Sequence, residues 1–162
     1  KIMVEKMPEL LMEMPKKLKS SLKKRTEKQF YQRIQSNSWK APNFFIQKID
    51  TFATKGIPDL LVKDPENHFH FVELKVTTTS KVRLSPHQIS FFVEHSATRT
   101  WLMVEDKDQT IYLFRAFQIL DVVKNGLKTT PFALFKFTND GFTNKFTSVD
   151  WEKIFNTLLK FK

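Results

Sequence analysis

The chain contains no cysteine in its 162 residues. No disulfide framework is possible, and zinc sites built on thiolates are excluded. That absence is compatible with a reducing interior. Glycine occurs only three times, so tight glycine turns are few. No glycine-rich phosphate loop is present, which sets aside nucleotide hydrolysis of the P-loop kind. No apolar stretch approaches the ~18–20 residues of a membrane-spanning helix, and no membrane partner is expected. The opening KIMVEKMPELLMEMP interleaves charge with Met and Leu and lacks the clean apolar centre of a secretory signal. The first residue is Lys1 rather than Met, so the native start is expected to be missing. Repeats and low-complexity linkers are absent as well.

What the chain does have is Phe, 17 of them, and positive charge, with 27 Lys and Arg against 17 Asp and Glu for a net +10. With 41% hydrophobic residues, a chain of this length reads as one globular domain with an aromatic-rich core. The charge predicts a polyanionic partner without naming it. Low Gly with high Lys and Phe is the bias of an AT-rich genome, a viral one among them.

Residues 2–14 carry Met and Leu at helical spacing. They read as a short amphipathic helix, a candidate for packing on the body or on a second copy. Residues 16–28, KKLKSSLKKRTEK, hold seven basic residues and one acid, a solvated or phosphate-contacting arm. The Phe30, Tyr31, Ile34 stripe in EKQFYQRIQ predicts a helix over about 17–36. FFIQKIDTF, then Asp59 to Val62, then HFHFVELKV read as three strands of an antiparallel meander over 44–76, turning at TKGIP and KDPEN. Ser85, Pro86 and Gln88 form a capping box opening a helix to about Ala97. TWLMVED and TIYLFR read as a fourth and a fifth strand. AFQILDVVKNG is a helix stopped at Gly126. Residues 132–137 are a strand, Asn139–Gly141 a turn, and SVDWEKIFNTLLK a closing helix. A mixed sheet flanked by helices follows, of α/β (α+β) class.

The stretch GIPDLLVKDPENHFHFVELK, 56–75, carries the chemistry. Side chains two apart on a strand share a face. Glu73 and Lys75 therefore project together from an otherwise apolar strand, with Val72, Leu74 and Val76 opposite. Standing alone, the pair reads equally well as a surface ion pair on a half-exposed strand. Pairing around KDPEN, however, brings Asp59 toward Glu73. Two close carboxylates repel unless a cation lies between them, and an oxygen-rich site suits Mg2+ together with a substrate phosphate. A lysine there can orient the attacking water.

Pro58-Asp59 followed by Glu73-Leu74-Lys75 resembles the PD-(D/E)XK nuclease superfamily, with its restriction-endonuclease-like αβββαβ core. GIPD, VELK and SPHQ together are similar to two of its groups: the virus-type replication-repair nuclease domain and the Holliday-junction resolvases. The resemblance spans about Glu27 to Glu105. It implies that Asp59, Glu73 and the Leu74 carbonyl ligate Mg2+, or Mn2+, and that Lys75 positions the nucleophilic water. Glu27 resembles the helix glutamate that completes the metal site, although it also reads as a first-turn acid favoured by the helix dipole. Gln88 matches the helix Gln of these groups and is already the capping partner of Ser85. Lys23, Lys24 and Arg25 of the arm, with Lys55, Lys81 and Arg83 in loops, are candidate phosphate contacts.

His68 and His70 lie two apart without a third ligand nearby and read as exposed strand residues. His87 reads as a first-turn residue beside the site, and Ser85 lacks a Ser-His-Asp setting. Trp39, Phe44 and Phe45 read as core, with base stacking the alternative. The function implied is a Mg2+-dependent DNA endonuclease, with a Holliday-junction resolvase favoured. Such an enzyme would be a homodimer cutting branched DNA in the cytoplasm or nucleoid, or a virus-encoded one inside its host. The alternatives are nicking, restriction or flap cleavage by the same site, or a non-catalytic nucleic-acid-binding module. In domain terms, 1–25 is an arm and 26–162 one nuclease domain, with its core over about 27–125 and an extension over 126–162.

Overall fold

The computed structural model describes residues 25–50, 54–136 and 151–161. Helix α1 (Glu27–Asn37) precedes strands β1 (Phe45–Lys48), β2 (Leu60–Lys63) and β3 (Phe69–Val76). Helix α2 (Pro86–Glu94), strands β4 (Thr100–Glu105) and β5 (Ile111–Arg115), helix α3 (Ile119–Asn125), strand β6 (Ala133–Phe135) and helix α4 (Trp151–Leu158) follow. The expected αβββαβ order holds from Glu27 to Glu105. The strands form one six-stranded sheet whose spatial order is the chain order. Each neighbouring pair is antiparallel except β3 with β4, which is parallel. A parallel neighbour needs a crossover rather than a hairpin, and α2 is that crossover.

The sheet is covered on both faces, and its central strands alternate accordingly. All six residues of β4 are buried. Trp101 and Met103 join Val72, Leu74 and Leu113 in a core with Phe30 and Ile34 of α1 and Ile154, Phe155 and Leu158 of α4. Leu102 and Val104 point the other way, into a second core with Phe92 of α2, Phe114, and Ile119 and Val122 of α3. Residues of the expected C-terminal extension thus supply part of the first core.

Element ends depart from the sequence expectation for local reasons. Helix α1 begins at Glu27 and does not continue back through Thr26, while residues 17–24 of the expected helix lie outside the described residues. Thr26 is extended, with φ −119° and ψ 157°, and its side chain caps the helix. Thr26 Oγ1 accepts from the Gln29 N–H at 3.2 Å, and Gln29 Oε1 accepts from the Thr26 N–H at 3.1 Å. This reciprocal cap satisfies two helix-end donors and fixes the start. Helix α2 stops at Glu94, short of Ala97, where His95 folds back with Nδ1 at 2.7 Å from the Phe91 carbonyl. The segment 116–118 before α3 is a 3-10 turn. The Met/Leu segment 2–14, the turn at 139–141 and the start of the closing helix lie outside the described residues.

Two expectations are overturned. His70 is not an exposed strand residue: it is fully buried in β3. Trp101 Nε1–H donates to His70 Nδ1 at 3.1 Å, which leaves Nε2 to donate to Asp64 Oδ2 at 2.8 Å. Asp64 Oδ1 accepts from the Glu66 and His68 N–H groups, each at 2.9 Å. The carboxylate therefore closes the β2–β3 turn and satisfies the buried ring at once. Trp39 and Phe45 are not core either, at 71% and 55% exposed. Phe45 lies on the sheet-edge strand β1, and Trp39 on the turn before it.

Replacing Asp64 with Ala removes the acceptor of three donors in a buried setting, which costs about 2–4 kcal/mol. Urea unfolding followed by circular dichroism is expected to show that loss. A midpoint unchanged from the parent would refute the role given to Asp64.

Candidate active site

The site forms just ahead of the first residue of β2, where β3 runs on past the β2–β3 ladder. The β2–β3 ladder reaches Leu60 opposite Val72. One residue earlier, the Asp59 carbonyl accepts from the Ile49 N–H at 2.7 Å, while its carboxylate crosses to β3 and accepts from the Leu74 N–H at 2.9 Å. Asp59 is thus pinned between β1 and β3 and takes the place of a ladder partner. In a strand the N–H and C=O of one residue point to the same edge. The Leu74 carbonyl therefore faces the gap that Asp59 enters.

The approach to Asp59 depends on Gly56. Its φ is +92°, and a Cβ there would lie 2.6 Å from the backbone carbon and oxygen of His87. The Gly-x-Pro turn is seated directly on the first turn of α2, with Pro58 buried beside it. The two quoted motifs, GIPD and SPHQ, are one packed unit.

Glu73 projects from β3 toward that same helix turn. It is 1% exposed, which rules out a surface ion pair on a half-exposed strand. Lys75 Nζ lies 2.8 Å from Glu73 Oε1. Gln88 Nε2 also donates to Glu73 Oε1, while Gln88 Oε1 accepts from the Ser85 N–H at 2.9 Å and the Gln88 N–H donates to Ser85 Oγ at 3.2 Å. Gln88 therefore caps the helix and touches the carboxylate together. Glu73 Oε2 is buried and has no hydrogen-bond partner among the described residues.

Burial first, and repulsion from Asp59 second, push the Glu73 carboxyl up to about 7 against the pull of Lys75. Burial works against the Lys75 charge, but Glu73, Glu27 and Asp59 outweigh it and raise its pKa. Lys75 therefore stays an ammonium. An orphaned buried oxygen, a second carboxylate repelling it and a strand carbonyl aimed into the same gap fit a hard divalent cation. Among the described residues, no group of three or more His, Cys, Asp or Glu is assembled to hold a metal ion. The donors available are two carboxylates and a carbonyl, which leaves positions for water and phosphate.

Glu27 is the first residue of α1, and its carboxylate pairs with Lys75 at 3.3 Å, with its side chain half exposed. It borders two hollows. One, about 530 Å³, is lined by Tyr31, Gln32, Lys48, Asp59 and Leu74 among others. The other, about 250 Å³, runs past Lys75 to Lys81 and Arg83. Arg25 is turned toward buried Glu105 at 3.5 Å. Lys55 is exposed on the Gly56 turn. Lys23 and Lys24 lie outside the described residues.

Sequence reasoning missed the pair formed by Glu105 with Arg33 and Arg25. Glu105 was visible only as the acid ending an apolar strand, and its partners lie far off in the chain. The pair ties α1 to the end of β4 and so holds Glu27 beside Lys75.

No protein-family model matches the chain, and no curated protein matches it in sequence. Among solved structures, a Holliday junction resolvase of Archaeoglobus fulgidus is similar at 13% identity and TM-score 0.44, over 56% of this chain and 78% of that one. A likeness at this level carries no argument about activity.

Two outcomes are expected. Gly56→Ala forces a side chain into a positive-φ position against α2, costing about 1–3 kcal/mol from backbone strain alone; a melting temperature equal to the parent's would refute the contact. The second concerns pH. The folded-state pKa of Glu73, about 7, lies above its ordinary value of 4.5. The stability contributed by Glu73 is then full below pH 4.5 and is lost as pH rises through 7, by about 3 kcal/mol. Glu73→Gln is expected to erase that slope, so that in EDTA the variant gains on the parent at pH 8 and not at pH 4.5. Parallel stability curves for the two proteins would contradict this.

Proposed function

We propose that the chain is a metal-dependent nuclease that hydrolyses DNA phosphodiester bonds. The observation that carries the reading is the buried Glu73 carboxylate, with one oxygen unpartnered and Asp59 repelling it. Even with Lys75 at 2.8 Å from its other oxygen, such a group is costly to keep charged unless a further cation is part of the working protein. Asp59, Glu73 and the Leu74 carbonyl would hold Mg2+ or Mn2+. When bound, the ion supplies charge to stabilise the phosphate and lowers the pKa of water.

The chain's own groups do the rest. Gln88 fixes the orientation of the Glu73 carboxylate through its amide, and the cap bond fixes Gln88. Lys75, held as a cation against Glu73, presents N–H donors to a water or a phosphate oxygen at the mouth of the gap. Glu27 stands across from Lys75 and limits where that ammonium points. The net charge of +10 draws the polyanion in from solution.

Within this class we favour branched DNA, a four-way junction cut by a homodimer. The support is the resemblance of VELK, the SPHQ helix and the strands after it to junction resolvases. A two-fold symmetric junction matches a two-fold symmetric enzyme.

The deciding assay uses labelled four-way junction, linear duplex, flap and single strand, each with Mg2+, with Mn2+ and with EDTA. Paired nicks on the junction are expected. They should vanish with chelator and in Glu73→Ala, and fall by at least about a hundredfold in Lys75→Ala. Cuts mainly in duplex or flap would remove the junction assignment, and no cutting with either metal would remove the nuclease. Because Glu73 must lose its proton to bind an ion, Mn2+ affinity measured by calorimetry is expected to weaken as pH falls through about 7. A pH-independent affinity would speak against Glu73 as a ligand.

A further inference from the structure

The hollow beside Lys75 does not end at the carboxylates. It shares Lys81, Val82 and Arg83 with a second hollow of about 500 Å³, which Lys124 and Lys128 border from the end of α3. Among the described residues, no acidic side chain lines this second hollow. Lys81, Arg83, Lys124 and Lys128 are all exposed. Among the described residues, none of the four takes part in an ion pair. Four like charges on one surface repel one another, and a polyanion relieves that repulsion while releasing its own counterions.

The loop that carries Lys81 is built rather than loose. Thr77 Oγ1 donates toward the Lys81 carbonyl at 2.8 Å, and the Thr79 N–H donates to Thr77 Oγ1 at 3.2 Å. The Lys81 N–H donates to Thr79 Oγ1 at 3.2 Å. The loop is also latched to the end of α3, where the Leu127 N–H donates to the Ser80 carbonyl at 2.8 Å. Gly126, at φ +58°, makes that latch possible: a Cβ there would lie 1.9 Å from the Ser80 oxygen. The latch sets the Lys124 and Lys128 pair at a fixed place relative to Lys81 and Arg83. On the opposite side of Glu27 the hollow is bordered by two cations rather than four, Lys28 and Lys48, and Lys48 is already paired with Asp50 at 2.5 Å.

We propose that Lys81, Arg83, Lys124 and Lys128 form a one-sided phosphate track. It grips the backbone of the DNA arm that leaves the site on the Lys75 side of the scissile bond. The proposal rests on the nuclease reading and adds to it the direction in which the substrate lies and two contact residues from α3 and its end. The contacts are to phosphates, so the grip is independent of base sequence.

The test is Lys124→Gln with Lys128→Gln in the full chain. Both side chains are exposed, and a melting curve equal to the parent's checks that the fold is kept. Binding to a synthetic four-way junction and to a linear duplex is measured in EDTA across a salt series. Loss of two phosphate contacts should make the slope of log K against log salt shallower by about 2 and weaken binding roughly tenfold near 0.1 M salt. In Mg2+, KM should rise with kcat unchanged. Trimming the DNA on one side of the cut should abolish the difference between variant and parent, and trimming the other side should not. Affinity within about twofold of the parent with an unchanged salt slope would overturn the track, as would a difference insensitive to trimming either side. A parent that binds with the expected slope and cuts nothing would overturn the nuclease reading while leaving the track standing as a binding surface.

Discussion

A carboxylate held inside a sheet has to be matched by something, and the arrangement around Glu73 follows from that requirement. Its burial costs several kcal/mol if the charge stays. Lys75 and the Gln88 amide answer one oxygen and leave the other unanswered. Asp59 makes the imbalance worse, since its charge pushes Glu73 toward the protonated state. Packing could have removed the problem with an apolar residue at position 73. Instead two strands, a helix cap and a lysine are arranged around it.

That arrangement is local in origin and rigid in effect. The Asp59 carboxylate replaces a backbone partner for Leu74, so its position is tied to the sheet register rather than to a free rotamer. Gly56 allows the preceding turn to touch the first turn of α2, and that turn carries Gln88. A shift in the cap at Ser85 would therefore move Gln88, and with it the orientation of Glu73. Sites placed on strands and helix ends keep their geometry better than sites placed on loops.

Much of this was legible because short-range chemistry decides it. Period-2 alternation put Glu73 and Lys75 on one face, and the KDPEN turn brought Asp59 toward them. Ser85, Pro86 and Gln88 gave the start of α2 before any packing was known. The start of α1 was misplaced because a basic, helix-compatible run extends the 3.6-residue pattern past Thr26, whereas the capping bond between Thr26 and Gln29 decides the boundary. His70 was misjudged for the opposite reason. Its partners, Asp64 and Trp101, become neighbours only when β2, β3 and β4 pair. A polar residue inside a strand carries no local mark of whether tertiary pairing will satisfy it. Trp39 and Phe45 show the same gap, since nothing in their surroundings marks β1 as an edge.

A second buried glutamate gives the internal control for the functional reading. Glu105 also ends an apolar stretch, is fully buried, and has one oxygen without a hydrogen-bond partner. Burial raises its pKa as well, but the opposing groups are the guanidiniums of Arg33 and Arg25. Two fixed cations from α1 and its approach give this carboxylate a structural explanation: it fastens a helix to a sheet. Glu73 faces one ammonium and two other carboxylates, Asp59 and Glu27, so the positive charge beside it is outnumbered. Burial by itself does not mark a functional acid, because both residues are buried to the same degree. The distinguishing feature is the balance of charge: at Glu105 two guanidiniums stand against the weaker repulsion of Asp106, whereas at Glu73 two carboxylates, Asp59 and Glu27, stand against the single ammonium of Lys75.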